Sequence, residues 1–426
     1  MENTRYKLGV IDLYSIAKTE TEIESTPVIV AKLRDNVDMA RLAEALREAV
    51  SAFPLFGTTL EYRTGGYSLV AKNGELPIVD VPFAQRSKYF GRENGGYLYR
   101  LCVCDREIAL EWSRILTDEY GARDFLVAVL SAYCGESINQ PNENAIDTFL
   151  EKLTEREKKS SAPKASSGDK KQQESEKRDH SKIENMHVPT RKNPGGANLH
   201  ILRAPLSEIS AASGRDNASF ESVIIPIFSN VLYRRIKNRE GMSITADVTI
   251  DCRNAVGFES MHNFTVSKIL TYSGMLGKTD VKRVIELYDK MLDSAKDGVK
   301  DEAEHTINSL KPLVNLRPRI LADIVSLVVS KAVKGQRSDF SYTNLGNLNL
   351  PDGVKKQLSS LEFYSIPESA DAAISMLEFG DEAIITITEN YVDEMIISDF
   401  VGIAKILGIN FIVQESKSFK QSRLKL

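Results

Sequence analysis

The chain has 426 residues, too many for one compact core, so two domains or lobes are expected. Its 42% hydrophobic and 27% charged content is that of an ordinary soluble globular protein, and a net charge of −4 gives no electrostatic reason to expect nucleic acid as a partner. The opening MENTRYKLGVIDLYSIAK is charged early and lacks a continuous apolar run, so it does not read as a signal peptide. The most apolar later stretch, ILADIVSLVVSKAV (320–333), is broken by Asp323 and Lys331. It falls short of the roughly 18 uninterrupted apolar residues of a membrane span and reads as a buried helix. A cytoplasmic location is expected.

The first half mixes strands and helices. PVIVAKL (27–33) is short and β-branched, a strand. In VDMARLAEALREAVSAF (37–53) the apolar Leu42, Ala45, Leu46 and Val50 share one face of an amphipathic helix, which Pro54 ends. TTLEYR, YSLVAK, LPIVDV, YLYRLCVC and EIALEW follow as short strands, with turns at Gly65-Gly66 and Asn73-Gly74. The last of them runs into a loop offering Ser113, Arg114, Thr117 and Asp118. A turn over Asp118–Gly121 then leads to a helix expected from Ala122 to Tyr133. Strand, polar loop, helix is a common way to build a catalytic site.

Composition shifts sharply once, over residues 151–192. Lys, Glu, Ser and Gln dominate there, and too few apolar side chains exist to offset the entropy of ordering. A disordered charged linker is expected, dividing a lobe at 1–150 from a lobe at 193–426. Its basic clusters leave a protein or anionic partner open.

The second half repeats the same grammar. NLHILRAPL (198–206) is a strand and LSEISAASG (206–214) a short helix. ASFESVIIPIFSNVLYRRI (218–236) is a long helix with an Asn217/Ser219 cap and Glu221 close by, its Ile224, Phe228 and Leu232 at core spacing. SITADVTIDCR (243–253) alternates as a strand, and VKRVIELYDKMLDSAK (281–296) is amphipathic. DFSYTNLGNLNL (339–350), AAISMLEF and EAIITITENYV are strands, SDFVGIAKILG (398–408) is a helix, and the terminal QESKSFKQSRLKL is expected to fray. The fold class is therefore α/β, an α+β two-layer sandwich in two similar lobes.

Four cysteines suit a reducing compartment. Cys102 and Cys104 share a strand face and read as small buried apolar residues, with a soft metal or redox pair as the sharper alternative. The five histidines have no ligand spacing, so neither a bound metal nor a permanent cofactor is expected.

Four segments in order carry a family resemblance. They are YKLGVIDLYSIAK with LAEALREAVSAFPLF, then SRILTDEYG, then VTIDCRNAVGFESMHNF, then FSYTNLGNLNLP. Together they resemble the chloramphenicol-acetyltransferase-like superfamily, which includes alcohol acyltransferases and the condensation domains of nonribosomal peptide synthetases. Bacterial alcohol acetyltransferase-like proteins look the nearest type. The resemblance implies two lobes enclosing a tunnel, acyl-CoA as co-substrate, and an alcohol or amine acceptor. SRILTDEYG stands where the family has HHxxxDG. Ser113 and Arg114 occupy the histidine positions, Asp118 keeps the aspartate, and Glu119 replaces the glycine.

In the family the second histidine takes the acceptor's proton as it attacks the thioester. Arginine stays protonated at neutral pH and offers no acceptor nitrogen, so Arg114 cannot do this. It could instead hold a CoA phosphate or a carboxylate. No histidine occurs in residues 1–150. A substitute base would have to be Glu119 or come from the second lobe, where His262 is nearest by motif, its plainer reading being a partly exposed residue at a strand end. The family aspartate pairs with an arginine of the second lobe, which implies a buried Asp118–Arg253 ion pair. Thr343 and Asn344 read either as tunnel-lining donors for an oxyanion or as part of a turn without catalytic duty. The expected function is thus acyl transfer with impaired or unconventional catalysis. The alternative is a noncatalytic protein that binds an acyl ligand, a CoA-like ligand or a protein in the tunnel.

Overall fold

The computed structural model describes residues 5–8, 26–63, 66–82, 94–140, 196–214, 219–236, 242–253, 260–274, 276, 280–314, 338–365, 370–391, 393 and 395–420. The charged stretch 151–192 and the apolar stretch 320–333 lie outside these residues, as does 9–25 of the opening segment. No helix among the described residues is long and apolar enough to cross a membrane.

Five strands make the first sheet, in the order β12-β2-β7-β6-β5. These are β2 (Val28–Leu33), β5 (Ile78–Val79), β6 (Tyr99–Cys104), β7 (Glu107–Trp112) and β12 (Leu358–Tyr364). β7 lies antiparallel between β2 and β6, which makes it central. Helix α1 (Met39–Ala52) and helix α2 (Glu119–Cys134) pack together and bury Leu42, Ala45, Leu46, Phe125 and Val129. Asp38 caps α1, its carboxylate accepting from Ala40 N and Arg41 N. A small antiparallel sheet of β1 (Arg5–Lys7), β4 (Gly66–Ala71) and β3 (Thr58–Arg63) flanks this unit.

The second sheet has seven strands in the order β10-β9-β11-β13-β14-β8-β15. They are β8 (Gly196–Pro205), β9 (Ser243–Asp251), β10 (Thr265–Ser273), β11 (Phe340–Asn347), β13 (Ala372–Phe379), β14 (Glu382–Glu389) and β15 (Ile412–Lys420). β11 runs parallel to both β9 and β13, and the other pairings are antiparallel. Along β9, Ile244, Ala246, Val248 and Ile250 alternate inward. Helix α3 (Leu206–Ser213) and helix α4 (Phe220–Tyr233) cover this sheet together with helix α5 (Val281–Val314). α4 is mostly apolar and is buried from Ser222 to Tyr233, the expected fate of a helix with only a few polar residues. The remaining helices are α6 (Asp352–Gln357) and α7 (Met395–Ile406).

Several expectations from sequence need correction. The lobes do not divide cleanly along the chain. β12, from the second half, pairs with β2 of the first sheet over Leu358–Tyr364. The core under the first sheet likewise takes Leu345, Leu350, Leu361 and Phe363 from the second half. Gln414–Lys420, expected to fray, forms most of β15, because β8 offers it a full antiparallel partner. The Ser219 side chain makes no capping bond at α4, and its backbone N donates instead to Asp289 Oδ1.

Candidate functional site

The central strand β7 ends at Trp112 and delivers the loop 113–118 to the N-terminus of α2. The ends of β9 and β11 in the other sheet approach the same place. The site is therefore a junction of two sheets.

α2 starts at Glu119, three residues earlier than the sequence suggested, because Asp118 is its N-cap and not part of a free turn. Asp118 Oδ1 accepts from Tyr120 N at 3.1 Å and Gly121 N at 3.0 Å. Such a cap contributes about 1 kcal/mol, and the helix dipole favours the negative charge. Gly121 is needed for close approach: a Cβ there would overlap Thr117 Oγ1 and come within 2.9 Å of the Met261 carbonyl oxygen.

Arg253, just past β9, reaches the same carboxylate with Nη2 2.8 Å from Asp118 Oδ1. Its other donors go to Asp251 Oδ1 (2.9 Å), Ser260 O (2.9 Å) and His262 O (2.9 Å). Four of the five guanidinium N–H groups are thus committed. The guanidinium also lies 5.9 Å from the Tyr120 ring centre and 5.8 Å from that of Phe264. Burial alone would push Arg253 toward neutrality, but the Asp118 and Asp251 carboxylates outweigh it and raise its pKa. Asp251 is pushed up by burial, an effect its Arg253 contacts only partly offset.

The segment 260–264 wraps the loop from the second lobe. Phe264 N donates to Asp118 Oδ2 at 2.6 Å, Thr117 Oγ1 to Met261 O at 2.5 Å, and Asn263 Nδ2 to Arg114 O at 2.7 Å. Ser113 is fully buried; its N donates to Leu98 O, and its Oγ accepts from Ile115 N at 3.2 Å. His262 is buried, correcting the partly exposed position expected for it. Its backbone N donates to Ser260 Oγ at 3.1 Å.

Arg114 differs from this tightly held set. Its side chain is 42% exposed, and Nη2 contacts Glu119 Oε1 at 2.5 Å. Glu119, itself buried, is thereby held as an arginine's counterion. Tyr120 OH donates to Asn344 O at 2.9 Å, and burial, then the nearby carboxylates, push its pKa well up. On the loop and the first turn of α2, Arg114 is a cation, both carboxylates face guanidinium groups, and the Tyr120 phenol stays protonated.

On β11 the side chains of Thr343 and Asn344 are held by bonds within the protein. Thr343 Oγ1 donates to Thr249 Oγ1 at 3.0 Å. Asn344 Nδ2 donates to Glu221 Oε1 at 3.3 Å, while its Oδ1 accepts from Gly346 N at 2.8 Å. That second bond shapes a turn at Gly346, whose φ is +61°. Glu221 therefore reaches across to β11 and does not complete a capping box. Arg123 Nη1 adds a bond to Leu345 O at 3.1 Å.

The sequence signalled Arg114, Asp118 and Arg253, but not Tyr120, Asn263 or Glu221, whose partners lie over 100 residues away in the chain. A second buried ion pair was also missed. Arg100 Nε and Glu111 Oε2 lie 2.5 Å apart on β6 and β7. Beside them, burial and Glu111 push the Cys102 thiol up to about 12, so it is inert; Cys104 is only half-buried. Among the described residues no group of three or more His, Cys, Asp or Glu could hold a metal ion.

No protein-family model and no curated protein matches the sequence. Solved structures do. TRI101 of F. sporotrichioides, complexed with coenzyme A and T-2, aligns over 96% of this chain and 99% of its own, with a TM-score of 0.60 and 11% identity. The trichothecene 15-O-acetyltransferase TRI3 of Fusarium sporotrichioides aligns over 95% and 94%, with a TM-score of 0.57 and 11% identity. The condensation domain of the Monacolin K polyketide synthase MokA aligns over 95% and 96%, with a TM-score of 0.58 and 9% identity. The chain has the mixed α/β, two-lobed fold of these proteins. At such identities the likeness establishes the fold, and the activity has to be argued from the site.

Proposed function

We propose that this protein keeps the acyl-transfer scaffold to bind an acyl-CoA thioester and a hydroxyl or amine acceptor, with proton transfer impaired. One observation carries the reading. Glu119, the nearby carboxylate that could serve as a base, faces the Arg114 guanidinium at 2.5 Å, and the resemblance aligns Arg114 with the family's base. An alcohol attacking a thioester carbonyl must lose its proton, and losing a positioned base lowers the rate by about 10²–10⁴. Binding, orientation and any oxyanion stabilisation would survive. An amine acceptor suffers less, because its lone pair attacks before a proton must leave. The intact Asp118–Arg253 anchor supports a loop kept for its shape.

The test is acetyl transfer from acetyl-CoA to a simple alcohol, comparing wild type with Arg114→His. Slow wild-type turnover that rises in Arg114→His supports the proposal. Brisk wild-type turnover that survives Arg114→Ala overturns it.

A second reading rests on His262, which is buried in the very segment that clamps the loop. In this reading its imidazole is the substitute base and wild type is active. His262→Gln would then abolish turnover, whereas the first reading expects no further loss.

A further inference from the structure

Away from the loop 113–118, the first lobe holds a cavity of about 1040 Å³ between α1, the end of β4 and the start of β5. That is slightly above the roughly 300–1,000 Å³ usual for small-molecule sites. It shares no described lining residue with the junction of the two sheets. Its apolar lining includes Val50, Leu76 and Ile78. Its charged lining is mainly basic, with Arg47 and Lys72 against the single carboxylate of Glu75 among the described lining residues.

Two features show a built site. First, Lys72 is fixed in place. Its ammonium donates to Gly95 O and lies 5.2 Å from the Tyr97 ring centre. Gly95 and Gly96 both have positive φ (65° and 94°), and a Cβ on Gly96 would press to 3.2 Å from Lys72 Nζ. The glycine turn therefore makes room for the ammonium. Second, Tyr97 lines the cavity and is fully buried, yet its hydroxyl has no hydrogen-bond partner among the described residues. Other buried tyrosine hydroxyls also lack a partner, but that of Tyr97 belongs to a residue lining this cavity and can donate to an acceptor held there.

We propose that this cavity binds an amphipathic monoanion, a carboxylate on an apolar body. The Tyr97 hydroxyl donates to the head group, Lys72 and Arg47 balance its charge, and the body lies along Val50, Leu76 and Ile78. A neutral alcohol of the same length lacks the charge that the two cations select.

The test is isothermal titration of the full chain with decanoate and with decanol. Decanoate is expected to bind one site, and decanol at least tenfold more weakly. Tyr97→Phe should bind decanoate about tenfold more weakly without lowering the melting temperature, since the deleted hydroxyl has no protein partner to lose. Gly74→Leu is a second variant. A Cβ at Gly74 sits 3.8 Å from Lys72 Cε and 3.9 Å from Tyr97 Oη, so the position tolerates a side chain, and the rest of the leucine would crowd the head-group end beside Lys72 and Tyr97. Decanoate binding should vanish in it. The proposal is overturned if decanoate does not bind, if decanol binds as well, or if either variant binds decanoate like wild type.

Discussion

Asp118 and Glu119 are adjacent carboxylates at the start of one helix, and their surroundings are opposite. Asp118 is gripped from both lobes: it accepts from two amides of its own helix, from Phe264 N and from Arg253. Glu119 faces Arg114, whose side chain is 42% exposed. The inner half of the loop is a buried, densely hydrogen-bonded network, and the outer half is a single half-wet ion pair. On the proposed reading, the inner half holds the loop's shape and Arg114 stands where a base would act.

If the inner half is the anchor, breaking it should cost most. Asp118→Ala is expected to lower unfolding free energy by about 3–5 kcal/mol, because it strands the buried Arg253 charge. Arg253→Met should cost a similar amount, and the double variant less than the sum. Chemical denaturation measures all three, and a loss under about 1 kcal/mol for Asp118→Ala would erase the contrast. Gly121→Ala comes next at about 1–3 kcal/mol, since the added methyl meets Thr117 and the backbone at Met261. Arg114→Ala should cost about 1 kcal/mol or less, because a half-exposed pair is screened by water and the helix N-terminus still favours Glu119.

The smallest effect concerns Glu378 on β13, whose pKa burial raises, with Glu221 adding repulsion. A carboxyl raised in the folded state binds more protons there than when unfolded. Its ionisation therefore costs stability above the folded pKa, and the cost is relieved as pH falls through that pKa toward the ordinary glutamate value. Glu378→Gln should raise the melting temperature slightly at neutral pH and not at acid pH. An identical gain at both would assign the effect to something other than charge.

Elements with strong local patterns were legible in the sequence. α1 showed its face through Leu42, Ala45 and Leu46, and β9 its period of two through Ile244, Ala246 and Val248. β12 was not legible, since LSSLEFY carries Ser359, Ser360 and Glu362 and gains its place only by pairing with β2 some 330 residues away in the chain. β10 was missed for a related reason: TVSKILTYS has one largely exposed face, and its partner β9 fixes it. At the site, the pair Asp118 and Arg253 was readable because the family resemblance implied it, and the two are 2.8 Å apart. The Glu119–Arg114 contact, the buried His262 and the Tyr120–Asn344 bond were not, because each depends on how loop and strand ends meet in space.

β12 also sets a rule for anyone dissecting this molecule. A polypeptide ending before residue 196 would carry β2 with its outer edge bare, from Val28 to Leu33, and bare edges invite self-association. Supplied together, the two pieces have a reason to find each other, because the missing strand of one is carried by the other. Cutting the chain in the 151–192 stretch should therefore yield a reconstituting pair, not two independent modules.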